Sequence, residues 1–419
     1  MKKIKFILTF FLLFLIYSYI VFFDKIPENV FLINDEKLTL RTPPGIELIE
    51  TTLTNNSNNN EANFANVENI SEDINYTNIE VKLFGNVSIK NIKIAKLEEI
   101  KVVPVGKVIG LKMYTNGVLV VGMSEVEDKN NYKIKPYETS NIKPGDTILE
   151  VNKNIIEDID NLKQAVNDSN GNEIEITILR NGNIINTNII PVQTEESKYQ
   201  LGLWVKDAAT GVGTITFYEP ESNSFGILGH GITDSDTNNL INIDSGELVT
   251  AKVISLKRGE VNIPGEIKGT IVNSQTIGKI TKNTQFGVFG NLNNLTALNI
   301  DVSKSIEVAT REEIEEGEAK ILCSTNSSNV SKEYKIEIEK VYRENDYNNK
   351  SMLIKITDEE LLNETGGIIR GLSGAPIIQN GKFVGAITNV LVSNPEMGYA
   401  IFGDMMIKEM KEVKWNKKL

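Results

Sequence analysis

The sequence contains a single cysteine, Cys323, and a single histidine, His230. One cysteine excludes an intrachain disulfide and any zinc site built from several cysteines. One histidine excludes metal sites that need two imidazole ligands, and it leaves His230 as the only residue available to a reaction that needs an imidazole. Nothing in the sequence therefore implies a metal ion or another cofactor.

The chain also lacks an excess of positive charge. Its 44 lysines and arginines face 56 aspartates and glutamates, which gives a net charge of -12. Because no long basic block is present, nucleic acid is not an expected partner. Hydrophobic residues make up 40% of the chain and charged residues 24%, so most of it should fold, with room for two or three domains of ~100–200 residues each.

The N-terminus carries the longest uncharged stretch, from Phe6 to Phe23, and three lysines lie before it. A helix over this stretch is ~27 Å long, which is close to the thickness of a bilayer core. The basic flank predicts a signal-anchor helix over residues 1–23 with the rest of the chain extracytoplasmic. A cleaved signal peptide is the alternative, although Tyr17 to Phe23 lacks the small residues of a cleavage site.

Residues 24–104 predict a linker and a short β region. The segment Thr51 to Asn60 reads TTLTNNSNNN and has too few apolar residues to form a core. From Ile79 to Val103 apolar and polar residues largely alternate, which favours strands.

Residues 105–195 resemble a PDZ domain. A tight turn and strand, KPGDTILEVN (143–152), precede a helical pattern over Glu157 to Asn167 and a hairpin closed by Asn181-Gly182. PDZ domains bind peptides by strand addition beside a helix, with backbone N–H groups holding a terminal carboxylate.

The resemblance implies which residues of this module would bind a peptide. Ile109, Gly110 and Leu111 match the position of the carboxylate loop, and Leu162 and Val166 match the groove side of the helix. Leu162 and Val166 are equally compatible with the core of a small β domain, so both interpretations stay open.

Residues 200–419 contain short strand patterns, glycine turns and two motifs that suggest chemistry. In Gly371-Leu372-Ser373-Gly374-Ala375-Pro376, the glycines permit a sharp turn that exposes the Ser373 hydroxyl. In Gly229-His230-Gly231, the histidine is flanked by residues typical of an exposed loop. Because a serine needs a base to become a good nucleophile, Ser373 and His230 are a candidate pair.

A third group must orient the imidazole. Asp358, which precedes Ser373 in sequence, and Asp234, which follows His230, are the two main candidates, and spacing does not decide between them.

These motifs lie within longer segments that resemble the stage IV sporulation protein B serine peptidase family. The segments are LGLWVKDAATGVGTITFY (201–218), ILGHGITD (227–234), ATREEIEEGEAKIL (309–322) and TGGIIRGLSGAPIIQNGKFVGAITNVLVSNPEMGYAI (365–401). The resemblance implies a mainly β fold with some α, in which a PDZ-like domain precedes a trypsin-like double β-barrel peptidase at residues 200–419.

The resemblance also implies roles for individual residues. His230 matches the base, Ser373 the nucleophile and Asp358 the acid, with the backbone N–H groups of Gly371 and Ser373 forming the oxyanion hole. Leu372 stands where trypsin has an aspartate, which excludes activation by that salt bridge. In trypsin-like enzymes the acid usually lies nearer the histidine in sequence, and Asp358 departs from this order.

Finally, the resemblance implies a cellular location, a protein substrate and a peptide ligand. The protein would act between the forespore and mother-cell membranes, cleaving a regulator of an intramembrane protease and so triggering a late sigma factor, and it would process itself. Its PDZ-like module would bind a peptide segment, including one from its own chain. A catalytically inactive scaffold and a non-peptidase hydrolase remain the alternatives.

Overall fold

The computed structural model describes Tyr17, Tyr19 and residues 29–33, 46–51, 75–97, 100–180, 182–343 and 349–411. The predicted membrane helix over residues 1–23 lies outside this described part apart from Tyr17 and Tyr19, and so does nearly all of the polar stretch from Thr51 to Asn60. Across the described ranges, every helix is too short or too polar to cross a bilayer.

The chain divides into two units, residues 1–100 with 412–419 and residues 101–411. The smaller unit contains one sheet in the order β1-β4-β3-β2. Its strands are β1 Asn29–Ile33, β2 Ile46–Thr51, β3 Asn75–Leu83 and β4 Val87–Leu97. Its buried side chains are Ile46, Val81, Ile92 and Ile94, which agrees with the alternating pattern of the sequence.

The larger unit begins with the PDZ-like module and a strand that leads into it. The strands are β5 Lys101–Met123, β6 Val126–Glu127, β7 Lys133–Ile134, β8 Thr147–Val151, β9 Asn154–Ile155, β10 Ile174–Arg180, β11 Asn183–Ile189, β12 Val192–Gln193 and β13 Tyr199–Gln200. One helix, α1 Ile159–Asp168, begins at Asp158, whose side chain accepts a hydrogen bond from the Asn161 N–H at 2.7 Å.

The next strands form most of a first barrel. They are β14 Leu203–Glu219, β15 Ser224–Ile227, β16 Ile243–Lys257, β17 Glu266–Thr284 and β18 Gly287–Leu292. Neighbouring strands pair in the order β14-β15-β18-β17-β16, and β5 pairs with both β14 and β16. The first half of β5 therefore closes a ring of six antiparallel strands.

A second barrel of six strands follows. Its region contains β19 Ile306–Glu307, β20 Gly317–Cys323, β21 Lys332–Val341, β22 Met352–Ile356, α2 Glu359–Thr365, β23 Pro376–Gln379, β24 Lys382–Val390, β25 Met397–Phe402 and α3 Gly403–Lys411. Strands β20-β21-β22-β25-β24-β23 close on each other. In β21 the side chains of Tyr334, Ile336 and Ile338 are buried and the charged residues between them are exposed, as expected of a barrel wall.

The structure confirms the mainly β character with few helices. It also shows an arrangement that differs from two consecutive domains. The PDZ-like module lies in sequence between two neighbouring strands of the first barrel, β5 and β14, and both of these strands continue into its sheet. The barrel and the module therefore share backbone and are not joined by a linker.

Gly106 lies where β5 packs against β20, a strand of the second barrel. Its φ is +66°, and a Cβ built on it would lie 2.4 Å from the carbonyl oxygen of Leu322 in β20. A side chain there would strain the backbone and displace the neighbouring strand.

We predict that Gly106→Ala lowers the free energy of unfolding by about 2–4 kcal/mol, because strain and overpacking both oppose the methyl group. The measurement is urea unfolding of the full chain followed by circular dichroism. Gly211→Ala is the matched control, since a Cβ at Gly211 meets no atom within 4 Å. Equal midpoints for the two variants would contradict the packing of Gly106 on β20.

Candidate active site

The loop that carries Ser373 connects α2 to β23 and is pressed against the first barrel. Gly371 and Gly374 have φ values of +100° and +93°, which favour glycine. A Cβ on Gly374 would lie 2.4 Å from the Thr214 carbonyl oxygen and 2.7 Å from the Leu228 nitrogen. Only a glycine at this position allows the serine loop to reach so close to β14 and β15.

The backbone of this loop leaves two donors free. The N–H groups of Leu372 and Gly374 donate to Ile369 and Ile387 at 3.1 and 2.7 Å. The N–H groups of Gly371 and Ser373 have no acceptor anywhere in the described part of the chain. These are the two donors that the family resemblance implies for an oxyanion hole, and an oxyanion is the kind of acceptor that such free groups bind.

His230 follows β15 in a loop whose backbone also requires glycine. Gly229 has φ +67°, and a Cβ there would lie 3.1 Å from Thr388 Cγ2 and 2.9 Å from Ile401 Cγ2. The Nδ1 atom of His230 lies 2.9 Å from the Gly231 carbonyl oxygen. A proton on Nδ1 would satisfy this contact and leave Nε2 as the basic nitrogen.

The structure brings the serine and histidine loops together. Gly374 lies against Leu228, and Thr388 contacts both loops, because its carbonyl accepts the Ser373 hydroxyl at 2.8 Å while its methyl group faces Gly229. Among the described residues no hydrogen bond joins the side chains of Ser373 and His230. Rotation of Ser373 about χ1 would release its hydroxyl from Thr388, and catalytic hydrogen bonds often form only with substrate bound.

Asp358 lies elsewhere, at the N-terminus of α2. Its carboxylate accepts hydrogen bonds from the backbone N–H groups of Glu360, Leu361 and Lys335 at 3.1, 3.2 and 3.2 Å. These contacts identify it as a helix cap, and the structure shows no contact between it and His230. Its role as the third catalytic group stays a prediction.

Asp234, the alternative acid, is buried beside a lysine. It accepts hydrogen bonds from the backbone N–H groups of Asp236 and Thr237, both at 3.0 Å, and from Lys206 Nζ at 3.0 Å. It shapes the loop that follows His230 without a hydrogen bond to the imidazole.

The structure differs from the predicted peptide-binding residues of the PDZ-like module. Ile109, Gly110 and Leu111 lie in the first barrel, where β14 pairs with one edge of β5 and β16 with the other. Their backbone is thus engaged in the barrel, and a terminal carboxylate has no open edge there. Leu162 and Val166 are buried members of the module's own core.

A different strand presents an open edge beside α1, and the sequence reading did not single it out. Within Leu203–Asp207 of β14, residues 203–206 pair with β5 on one side and Asp207 lies at a bulge, and β15 joins β14 only from Ile215 onward. Asp207 Oδ2 accepts the Ile159 N–H at the start of α1 at 2.9 Å. The sequence gives little signal for this edge, since Leu203-Trp204-Val205-Lys206-Asp207 does not alternate between apolar and polar residues.

With this geometry established, comparison with known proteins gives the family. A model described as SpoIVB peptidase S55 matches residues 197–407, which is half of the chain. The chain belongs to the SpoIVB peptidase S55 family. It is therefore a serine peptidase, and a PDZ domain model matches residues 109–190, which confirms both parts of the resemblance.

Solved structures also show similarity. The PDZ domain of the SdrC-like protein from Listeria monocytogenes is 17% identical over 22% of this chain and 87% of that one, with a TM-score of 0.18. The HtrA-type protease AlgW with decapeptide is 9% identical over 49% and 53%, with a TM-score of 0.28. The Rv3671c protease from M. tuberculosis, active form, is 11% identical over 49% and 76%, with a TM-score of 0.27. No curated protein sequence gave a significant match.

His230 is half-buried and not fully exposed as its flanking glycines suggested, and this leads to a prediction about pH. Burial lowers the pKa of His230 below its ordinary value of 6.5, and the hydrogen bond at Gly231 opposes this shift only in part. A base must be neutral to accept a proton, so with His230 as the base the enzyme should keep its activity into mildly acidic pH and lose it as the pH falls through the lowered pKa. The rate of Ser373 labelling by a fluorophosphonate, measured against pH, should lose half its value below pH 6.5.

The same depressed pKa affects stability, because the folded state binds fewer protons than the unfolded state near the pKa of free histidine. The contribution of His230 is present above its unfolded pKa and declines as the pH falls below it. A labelling midpoint at or above 6.5 would contradict the burial of a neutral imidazole.

A second prediction separates the two roles of Asp358. Asparagine caps helices about as well as aspartate, whereas alanine loses about 1 kcal/mol. Asp358→Asn should therefore unfold at the same temperature as the wild type, and Asp358→Ala should unfold earlier. If the carboxylate orients His230, Asp358→Asn should also lose labelling by about 10⁴-fold. Wild-type labelling in Asp358→Asn would leave the cap as its only role.

Proposed function

We propose that Ser373 and His230 are the catalytic pair of this serine peptidase. The observation that carries the proposal is the packing of the serine loop on the histidine loop, with Gly374 against Leu228 and Thr388 in contact with both. Two elements distant in sequence meet only because the two barrels hold them there. The two free N–H groups at Gly371 and Ser373 support the same proposal.

In the proposed mechanism, Ser373 Oγ attacks the carbonyl carbon of a peptide bond while Nε2 of His230 takes its proton. The oxyanion that forms accepts hydrogen bonds from the N–H groups of Gly371 and Ser373. His230 then protonates the leaving amine, and a water molecule hydrolyses the acyl enzyme by the same route in reverse. In the structure the Gly231 carbonyl accepts the Nδ1 proton and so holds the tautomer that leaves Nε2 basic. Asp358, the acid implied by the family resemblance, would have to leave its cap position to bond the imidazolium, and the Asp358→Asn variant tests that role.

The proposed substrate is a protein, and the proposed setting is sporulation signalling. The family description supports a sporulation peptidase. We propose that the target is a regulator of an intramembrane protease and that the enzyme acts outside the cytoplasm, anchored by its N-terminus. The uncharged run from Phe6 to Phe23 behind three lysines supports the anchor.

The PDZ-like module would recruit an extended peptide. Strand addition needs an unpaired edge beside a helix, and Leu203–Asp207 next to α1 offers one. This peptide is either part of the substrate or a segment of the enzyme's own chain. Self-cleavage within residues 24–78, which are polar over much of their length, would release the enzyme from its anchor.

The test uses the purified full-length protein, a fluorophosphonate and intact mass measured over time. The wild type should gain one label and lose N-terminal mass, because the activated serine reacts with the probe and with its own linker. Ser373→Ala and His230→Ala should show neither change. Cys323→Ser is the matched control, since the buried thiol takes no part in the reaction.

Each result separates the candidate functions. An unlabelled, folded wild type of constant mass would instead favour an inactive scaffold, consistent with a serine hydroxyl bonded to the Thr388 carbonyl. Labelling combined with cleavage of small esters, but of no protein, would favour a non-peptidase hydrolase.

A further inference from the structure

Lys206 connects the PDZ-like module to the loop that follows His230. It lies on β14 within the stretch that has an open edge beside α1. Its Nζ atom lies 3.0 Å from Asp234 Oδ2 and also contacts the carboxylate of Asp236. The Asp234 side chain is only 5% exposed, whereas that of Lys206 is 40% exposed, so the lysine reaches inward to a buried acid.

Asp234 organises the loop that this lysine reaches. Its carboxylate oxygen Oδ1 accepts from the N–H groups of Asp236 and Thr237 and from the Thr237 hydroxyl, and its own N–H donates to Asn239 at 2.9 Å. Burial raises the pKa of Asp234, but the hydrogen bonds from Lys206 and these backbone groups outweigh it, and the net pKa is lowered. The acid is therefore charged, and Lys206 supplies the nearest positive charge.

A second contact joins the module to the same loop. Gly145, in the tight turn before β8, has φ +95°, and a Cβ on it would lie 2.6 Å from Nδ2 of Asn239. The loop after His230 is thus held from the module at two points, one ionic and one by close packing.

Successive side chains of β14 point to opposite faces of the sheet, so Lys206 and Asp207 contact different parts of the molecule. Asp207 accepts a hydrogen bond from the first turn of α1, while its neighbour Lys206 bonds to the His230 loop. Further along the same strand, the Thr214 hydroxyl donates to the Gly371 carbonyl at 2.7 Å. One continuous strand therefore contacts the PDZ helix, the histidine loop and the serine loop.

We propose that Lys206 is a positioning residue for His230, acting through Asp234, and that the PDZ-like strand thereby sets the geometry of the catalytic base. This proposal rests on the proposed role of His230 as base. An extended peptide added to the open edge of Leu203–Asp207 would act on the same strand, so its binding would change the rate of the chemical step.

The test compares Lys206→Met, which removes the charge and keeps the aliphatic stem, with Lys206→Arg, which restores the charge. Misplacing a catalytic group by 1 Å costs about 10²-fold in rate, so we expect Lys206→Met to lower kcat roughly tenfold. KM should change less than about twofold, because the Lys206 side chain is bonded to Asp234 and Asp236 and a peptide added to the strand edge would pair with its backbone, which the substitution leaves in place. Lys206→Arg should recover most of kcat.

The matched control is Lys198→Met. Lys198 also lies close to β14 and pairs with Glu196, but both side chains are well exposed, at 65% and 75%. Such surface pairs contribute little, so this variant should keep wild-type kcat.

A second readout does not depend on activity. Because His230 is the only histidine, its ¹³C and ¹⁵N resonances in selectively labelled protein report on one imidazole. Lys206→Met should shift these resonances and Lys198→Met should not. Lys206→Gln, which keeps a hydrogen-bond donor, replaces Lys206→Met if that variant unfolds early.

The outcomes are distinguishable. Unchanged kcat and unchanged His230 resonances in Lys206→Met would overturn the positioning role. A wild type that the fluorophosphonate does not label would count against the proposed function, and the resonances would then decide the positioning role alone. A rise in KM with kcat unchanged would also overturn the proposal, because it would place Lys206 in substrate binding.

Discussion

The close approach of Gly374 to the first barrel is the contact on which the candidate catalytic site depends. The proposed nucleophile, Ser373, belongs to the second barrel and the proposed base, His230, follows a strand of the first, so neither barrel alone contains the proposed pair. The backbone of the serine loop lies so near Thr214 and Leu228 that a methyl group would collide with both. Because protein interiors are close-packed and resist deformation, this contact holds the loop that carries Ser373 against the chain segment that leads into His230.

The shared strands place the PDZ-like module within the peptidase fold. Strand β5 gives its first half to the barrel and its second half to the module, and β14 returns in the opposite order. A domain joined by a flexible linker moves independently of its neighbour. Because β5 and β14 run through both the first barrel and the PDZ-like module, this freedom is removed, and displacing the module would strain the backbone of the barrel.

Much of the candidate site could be predicted from sequence, since glycines around a serine or a histidine indicate local backbone geometry. The pairing of the Ser373 and His230 motifs was predicted from chemistry, but their contact arises from packing between barrels, which local patterns do not encode. The helix-capping role of Asp358 was available in the sequence, because an aspartate before Glu359-Glu360 is a typical start of a helix.

The position of Ile109, Gly110 and Leu111 could not be predicted from local sequence patterns. Their pattern matches a PDZ loop, yet in the structure both edges of this segment pair with β14 and β16. Tertiary pairing outweighs a local preference in strands, because β propensity reflects fit to neighbours more than the backbone itself. The strand beside α1 was instead supplied by residues beyond the module's last hairpin.

The closing of the first barrel by β5 has a kinetic consequence. Strand β5 is made early, but both of its partners, β14 and β16, are synthesised only after the whole PDZ-like module. Pairings between segments so distant in sequence pay a large loop-closure entropy before they gain stability, and they form slowly. The proposed nucleophile, Ser373, lies further along still, in the last barrel to be completed. The order of the chain therefore delays the appearance of a working site until nearly all of the protein has folded.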